Sequence, residues 1–543
     1  MKYNLVAILA ICSGTLLAAK PDHTFLPDPI LNDTTQKTPK NWHHLDPEKD
    51  QYPGISTERA YKELLKNKPS KSVVVAVIDS GIDIDHEDLK DVVWINEDEI
   101  AGNGVDDDKN GYIDDVHGWN FIGGKNGNVE FDTYELTREY ARLSKKYQNL
   151  SDSEKAKDKE YEYFQKIEKE YTSTVERMRN QFNGFKGYFE NYSLSKKLME
   201  AYIMTEKLDV ASLKSVDSPD ERVMAAKQLM LYALENGLDD KQFEEGFDYF
   251  NTALDYGYNL DFNPRDIIGD NYEDLSQRVY GNNDVKGDFA FHGTHVAGII
   301  AAKRNNGLGM EGVANDVKIM VVRAVPNGDE RDKDVANAII YAVDNGAKVI
   351  NMSFGKSFSP NKELVDKAVK YAEKKGVLLV HAAGNSSKDV DVKDNFPNRT
   401  YSNNGVKANN WLEVGAVSWE GAENIVAKFS NYGKKSVDIF APGVDIFSTA
   451  PDQDYQNASG TSMAAPVTSG VAALLLSYFP HLSTTQVKDI IIKSSINYKN
   501  LKVYKPGSEE LVKFGDLSIN GSVINVYEAV KMAQRIKAPK KKL

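Results

Sequence analysis

Val73-Val74-Val75-Ala76-Val77-Ile78-Asp79-Ser80-Gly81 runs six apolar residues, four of them valine, straight into an aspartate and a Ser-Gly turn. A strand with one wet face alternates apolar and polar residues; a run without alternation belongs to a strand covered on both faces, as in a parallel sheet. Similar runs recur at 319–322, 349–352, 377–380 and 437–440. Helical patterns lie between and after them at 335–343, 364–372, 464–475 and 487–492. Strands alternating with helices imply right-handed βαβ units, so the predicted fold is α/β, a mostly parallel sheet with helices on both faces. Ligands bind such sheets at the carboxyl ends of the strands, which singles out Asp79, Ser353 and Asn385.

Residues 131–280 differ in kind, being dense in Lys, Glu, Tyr and Phe. Phe164, Ile167, Tyr171, Val175, Met178 and Phe182 are spaced 3, 4, 4, 3 and 4, a narrow apolar stripe on a helix. Further helices are predicted at 194–207, 222–235 and 241–254. The stretch reads as an all-α insertion in the α/β body, its aromatic stripe serving as core or as a coiled-coil partner surface. The expected organisation is a signal peptide at 1–19, an N-terminal segment at 20–70, the α/β domain at 71–130 and 281–533, the insertion at 131–280, and a basic tail at 534–543.

The chain has 543 residues, 41% apolar and 27% charged, which excludes wholesale disorder. Lys plus Arg is 67 and Asp plus Glu is 80, a net charge of −13 that argues against nucleic acid as a partner. Lys2 precedes an apolar run over 5–11 that continues to Leu16-Leu17-Ala18-Ala19, the pattern of a signal peptide cleaved after Ala19. A lipoprotein signal ending at Cys12 is disfavoured by the bulky Ile11 before it. Beyond residue 19 no run approaches the ~20 apolar residues of a membrane span. The protein is therefore expected to be exported (periplasmic, cell-surface or secreted). Cys12 is the single cysteine, so its stability cannot rest on disulfides.

Three segments carry chemistry. Asp79 ends a strand; His292-Gly293-Thr294-His295 opens a small-residue helix; Gly460-Thr461-Ser462-Met463-Ala464-Ala465-Pro466 opens another. A serine hydroxyl is a poor nucleophile near neutral pH and needs a base. His292 can take the Ser462 proton and return it to a leaving amine, while Asp79 fixes the imidazole tautomer and stabilises the imidazolium. At a helix start the Ser462 N–H and the positive dipole end face a developing oxyanion, and Asn385 in Ala382-Ala383-Gly384-Asn385 can donate alongside. Pro466 is expected in the first helical turn, where its missing N–H costs nothing.

With these four motifs in this order, over about residues 71–125 and 285–533, the sequence resembles the subtilisin-like serine peptidases, the subtilase family. The resemblance implies a serine endopeptidase acting on proteins or peptides, with Asp79, His292 and Ser462 as triad and Asn385 in the oxyanion hole. It further implies that Ser353-Phe354-Gly355 pairs with extended substrate backbone, that Ala382, Ala383 and Gly384 form the opposite wall of the primary specificity pocket, and that the segment near 521–529 is a closing helix. The insertion makes the Asp-to-His separation unusually long, and residues 20–79 leave little room for an inhibitory prodomain.

The loop from Gly104 to Asp115 packs five Asp and one Asn between glycines. With Asp106 as first position, oxygen ligands fall at Asp106, Asp108, Asn110, the Tyr112 carbonyl and Asp114, a spacing that suits structural Ca²⁺, with Asp115 able to add a further ligand. His117 stands where a complete EF-hand loop would place its bidentate Glu. Other readings are a non-catalytic scaffold or binding protein on the same frame, an esterase or transferase using the same serine, and a metal site at His292 and His295, which lacks the HExxH pattern.

Overall fold

The computed structural model describes residues 38–538, so the expected signal peptide and the last five residues of the basic tail lie outside them. Nine strands form one sheet: β1 (Val73–Asp79), β2 (Gly118–Asn120), β3 (Val317–Arg323), β4 (Val349–Met352), β5 (Leu378–Ala382), β6 (Trp411–Val417), β7 (Ile439–Pro442), β8 (Ile496–Asn497) and β9 (Ser522–Val523). Their spatial order is β8-β9-β7-β6-β5-β4-β1-β3-β2. Every neighbouring pair is parallel except the edge pair β8–β9.

The unalternated valine run has the cause expected of it. Val73, Val75 and Val77 turn to one face, among residues of helices Phe291–Ala301 and Thr461–Tyr478. Ala76 and Ile78 turn to the other, among residues of helices Asp332–Asp344 and Lys362–Lys375. Both faces are dry, so both parities must be apolar. Among the described residues, Thr461–Tyr478 is the one helix long and apolar enough to suit a bilayer, and 89% of it is buried in the protein, as befits a core helix. From residue 38 the N-terminal segment belongs to the same core: Trp42, Ile55, Ala60 and Leu65 are buried, and Trp42 Nε1 donates to the Val444 carbonyl at 3.0 Å.

The sequence reading missed β6, whose seven residues are all buried. Glu413 interrupts its apolar run. That carboxylate is paired, meeting His381 Nδ1 on the neighbouring strand β5 at 3.0 Å and accepting from Trp411 Nε1 at 2.8 Å.

Among the described residues, Leu136–Phe262 forms one compact unit, and 38–135 with 263–538 forms the other. The smaller unit is helical. Its long helix, Tyr161–Ile203, spans 43 residues, joining the predicted stripe at 164–182 to the helix predicted from 194. The helix passes through Gly184 and Gly187, each disfavoured by about 1 kcal/mol against Ala. It continues because Phe164, Tyr171, Met178, Phe185, Tyr192 and Met199, all buried, fall seven apart and keep one seam apolar. Phe185 packs on Phe243 and Phe250 with ring centroids 5.7 and 5.4 Å away, while Phe182, expected in the stripe, is only half-buried. Met204, in left-handed conformation, ends the helix short of the predicted 207.

Residues 263–280 belong with the α/β unit, tied to the first turn of helix Asp332–Asp344. Arg265 binds Asp270 at 2.6 Å and Asp334 at 2.7 Å, Lys333 binds Asp270 at 2.7 Å, and the Tyr280 hydroxyl donates to Asp334 at 2.7 Å. Lys356 binds Glu135 at 2.6 Å and Asp332 at 2.8 Å. These charges are buried, and such groups persist in a dry interior only when paired.

Candidate active site and acidic loop

Asp79 is the last residue of β1 and His292 the second residue of helix Phe291–Ala301. His292 Nδ1 lies 2.7 Å from Asp79 Oδ1 across 213 residues of chain, with the carboxylate buried and the imidazole 37% exposed. The Ser80 N–H donates to the same oxygen at 2.8 Å. Gly293 permits the approach: a Cβ there would stand 2.2 Å from the Gly81 carbonyl oxygen and 3.2 Å from Asp79 Cβ. His295 is engaged elsewhere, its Nε2 at 3.0 Å from the Gln456 carbonyl, and burial pushes its pKa down to about 4. Among the described residues, neither histidine joins a group of three side chains able to hold a metal.

Ser462 is the second residue of helix Thr461–Tyr478. Its Oγ donates to the Ser353 carbonyl at 3.1 Å, and Ser353 Oγ donates to the Ser462 carbonyl at 2.9 Å. Pro466 is not in the first turn, as expected, but is the helix's sixth residue. It has no N–H to bond the Ser462 carbonyl four residues back, and the Ser353 hydroxyl occupies that acceptor instead. Ile78 on β1 pairs with Met352 on β4. Asp79 and Ser353 are therefore each one step past a paired position on adjacent strands, about 4.8 Å apart by strand spacing. Asp79 thus meets His292, and Ser353 meets Ser462, at the carboxyl ends of the neighbouring strands β1 and β4.

Asn385 Oδ1 accepts from the Thr461 N–H at 2.8 Å and from Thr461 Oγ1 at 2.9 Å. A Cβ placed on Gly460 would be 3.5 Å from both Asn385 Nδ2 and the Ser462 backbone nitrogen. Both nitrogens therefore lie near Gly460 beside the serine, and first-turn N–H groups have no partner within their helix.

The two expected pocket walls follow β4 and end β5. Ser353, Ala382 and Ala383 are buried, while the Phe354 carbonyl is bound by His381 Nε2 at 2.9 Å. Asn395, missed in the sequence, stands between the walls. Its Nδ2 donates to the Ala382 and Ala383 carbonyls at 3.3 and 3.2 Å. A Cβ on Gly355 would meet its Oδ1 at 2.7 Å, and one on Gly384 would be 3.5 Å from its Nδ2. No local pattern marks Asn395; only the folded proximity of 355, 384 and 395 does.

In the acidic loop, Asp106 and Asp108 converge with Glu99, their carboxylate oxygens all within 4.8 Å of one another. Glu99, also missed, accepts from the Asp107, Asp108 and Asp114 N–H groups at 2.8, 3.1 and 3.0 Å. Asn110 donates to Asp108 at 2.9 Å and to Asp115 at 3.1 Å, so its amide nitrogen faces the carboxylates, while its oxygen accepts from the Tyr112 N–H at 2.7 Å. Asp114 turns away to the Asn103 and Gly104 N–H groups at 3.1 and 2.9 Å. Asp115 is buried against Asn96 and Tyr341, and burial pushes its carboxyl up to about 6. Three clustered carboxylates suit a hard cation that relieves their repulsion.

A sequence model described as the subtilase family matches residues 70–515. The chain is 44% identical over 191 residues to the thermophilic serine proteinase of Bacillus sp. (strain AK1), covering 35% of this chain and 43% of that protein. It is 38% identical over 217 residues to thermitase of Thermoactinomyces vulgaris, covering 39% and 72%. It is 36% identical over 220 residues to subtilisin DY of Bacillus licheniformis, covering 40% and 74%. The chain thus spans less than half of the AK1 proteinase and about three quarters of the other two.

Proposed function

The chain belongs to the subtilase family, and from that premise we propose that it is an exported serine endopeptidase cleaving peptide bonds of protein or peptide substrates. Ser462 Oγ attacks the scissile carbonyl and His292 accepts its proton, Asp79 holding the imidazole by its Nδ1 side. Negative charge on the tetrahedral oxygen is taken up by Asn385 Nδ2 and the Ser462 N–H, donors fixed before the reaction begins. Collapse expels the amine, protonated by His292, and leaves an ester on Ser462, which water hydrolyses with His292 again as base. Ser353, Phe354 and Gly355 pair with the extended substrate, and Ala382, Ala383 and Gly384 face them across the primary pocket.

The observation that carries this reading is the 2.7 Å Asp79–His292 contact. The N-terminal apolar run supports export. Asp106 and Asp108, with Glu99, fit a structural Ca²⁺, which would neutralise the loop and stiffen it. The test is digestion of a diverse peptide pool by the wild type and by Ser462→Ala, with sequencing of the fragments. Cleavage by the wild type alone supports the proposal; equal cleavage by both, or by neither, rejects it.

A further inference from the structure

Arg323 ends β3 as the in-register partner of Asp79 on β1, so the two side chains leave the sheet on the same face. It is 1% exposed. A guanidinium in such a place needs acceptors, and its choice of them is informative. Arg323 Nε donates to the Ser80 carbonyl at 2.7 Å, immediately after the catalytic carboxylate. Its Nη2 donates to Glu130 Oε2 at 2.7 Å and to the Val129 carbonyl at 3.2 Å, on the segment that leads toward the insertion. Glu130 is fixed in turn, its carbonyl accepting from the Asn327 N–H at 2.8 Å. The space around the fork is specified too: a Cβ on Gly287 would lie 2.5 Å from Arg323 Cζ.

The residue whose carbonyl Arg323 grips also orients the acid, through its own N–H on the preceding peptide. The Ser80 N–H bonds Asp79 Oδ1 at 2.8 Å, and Ser80 Oγ donates at 2.8 Å to the carbonyl of Phe289, three residues before His292. The Asp79 carbonyl accepts from Ala324 and Val325, the two residues after Arg323, at 3.0 and 3.2 Å. Arg323 thus holds the carbonyl side of a turn whose N–H side holds the carboxylate. We infer that Arg323 is a positioning residue for Asp79, and that Glu130 is its anchor, making the 129–130 segment part of the active-site framework. The fork supplies two directions at once, which a lysine ammonium does not.

This inference rests on the triad reading above. Its test is steady-state kinetics on the best peptide from the pool digestion, with titration of acylatable Ser462 by a fluorophosphonate, for wild type, Arg323→Met, Arg323→Gln, Arg323→Lys and Glu130→Gln. Misplacing a catalytic group by a fraction of an ångström slows reaction without removing the substrate site. Arg323→Met and Arg323→Gln should lower kcat on the order of 10- to 100-fold with KM within twofold and full titratable serine. Arg323→Lys should recover part of the rate, and Glu130→Gln should lose several-fold. Unchanged kcat in whichever of the Met and Gln variants folds overturns the inference. So does a loss of titratable serine that alone accounts for the lost rate, or failure of both to fold, since the residue would then support the whole sheet. Ser462→Ala separates the two claims: full activity in that variant rejects the triad reading whatever Arg323 does.

Discussion

Ser353 and Ser462 exchange hydrogen bonds reciprocally: each hydroxyl donates to the other's backbone carbonyl, at 2.9 and 3.1 Å. Pro466 makes the exchange available, because the Ser462 carbonyl has no N–H four residues on to bond. The Ser462 carbonyl is therefore pinned to Ser353 at the end of β4 rather than to its own helix. Ser353→Ala should cost about 1–2 kcal/mol of stability by leaving a carbonyl short of a partner. Adding Pro466→Ala, which restores the helix N–H, should return part of that loss. Urea unfolding of the two single variants and the double variant checks this, and additive losses would count against the coupling.

Acid should destabilise the fold through three buried histidines. Burial pushes His44 down to about 3, His295 down to about 4, and His43 well below its ordinary value, with Arg304 adding like charge near His43 and His44. Each is neutral when folded but takes a proton when unfolded below about pH 6.5, so stability falls as pH drops from there toward 4. With all three titrating, the slope approaches about 4 kcal/mol per pH unit. Melting temperature against pH measures it, and His44→Gln should flatten the slope by about a third.

Chelation should lower the melting temperature if the acidic loop holds calcium. The structure shifts the decisive residues from the sequence-derived set: Glu99→Gln should abolish the calcium-dependent shift, as should Asp106→Asn, whereas Asp114→Asn should retain it. Melting curves with and without calcium distinguish these variants, and equal loss in all three would favour the original spacing.

Replacing 138–256 by a short Gly-Ser linker should spare peptide hydrolysis, because Thr137 Oγ1 already donates to the Gly257 carbonyl at 2.7 Å. Removing 135–275 should prevent folding. It takes Glu135 from Lys356, Arg265 from Asp334 and Asp270 from Lys333, leaving buried charges without these partners. Soluble yield and activity of the two deletions separate the cases.

Much of this was legible in the sequence. Val73–Asp79 announced a doubly covered strand through its lack of alternation, and strand-end logic picked Asp79, Ser353 and Asn385 before any motif was weighed. What escaped was tertiary. Glu413 broke the pattern of β6 because its compensation, His381, lies on a neighbouring strand. The stripe at 164–182 and the helix at 194–207 read as separate, and the seven-residue seam that joins them through Gly184 and Gly187 is seen only in the fold. Asn395 and Glu99 enter their sites only through folding, and Pro466 was misplaced because a helix start is uncertain by a turn when read from sequence.

The most direct measurement is intact mass after incubation with a fluorophosphonate, followed by peptide mapping of the adduct. Convergence of Asp79, His292 and Ser462 requires a single adduct on Ser462, greatly slowed in His292→Ala and absent in Ser462→Ala. An unmodified wild-type protein, or an adduct that forms equally fast without His292, would contradict it.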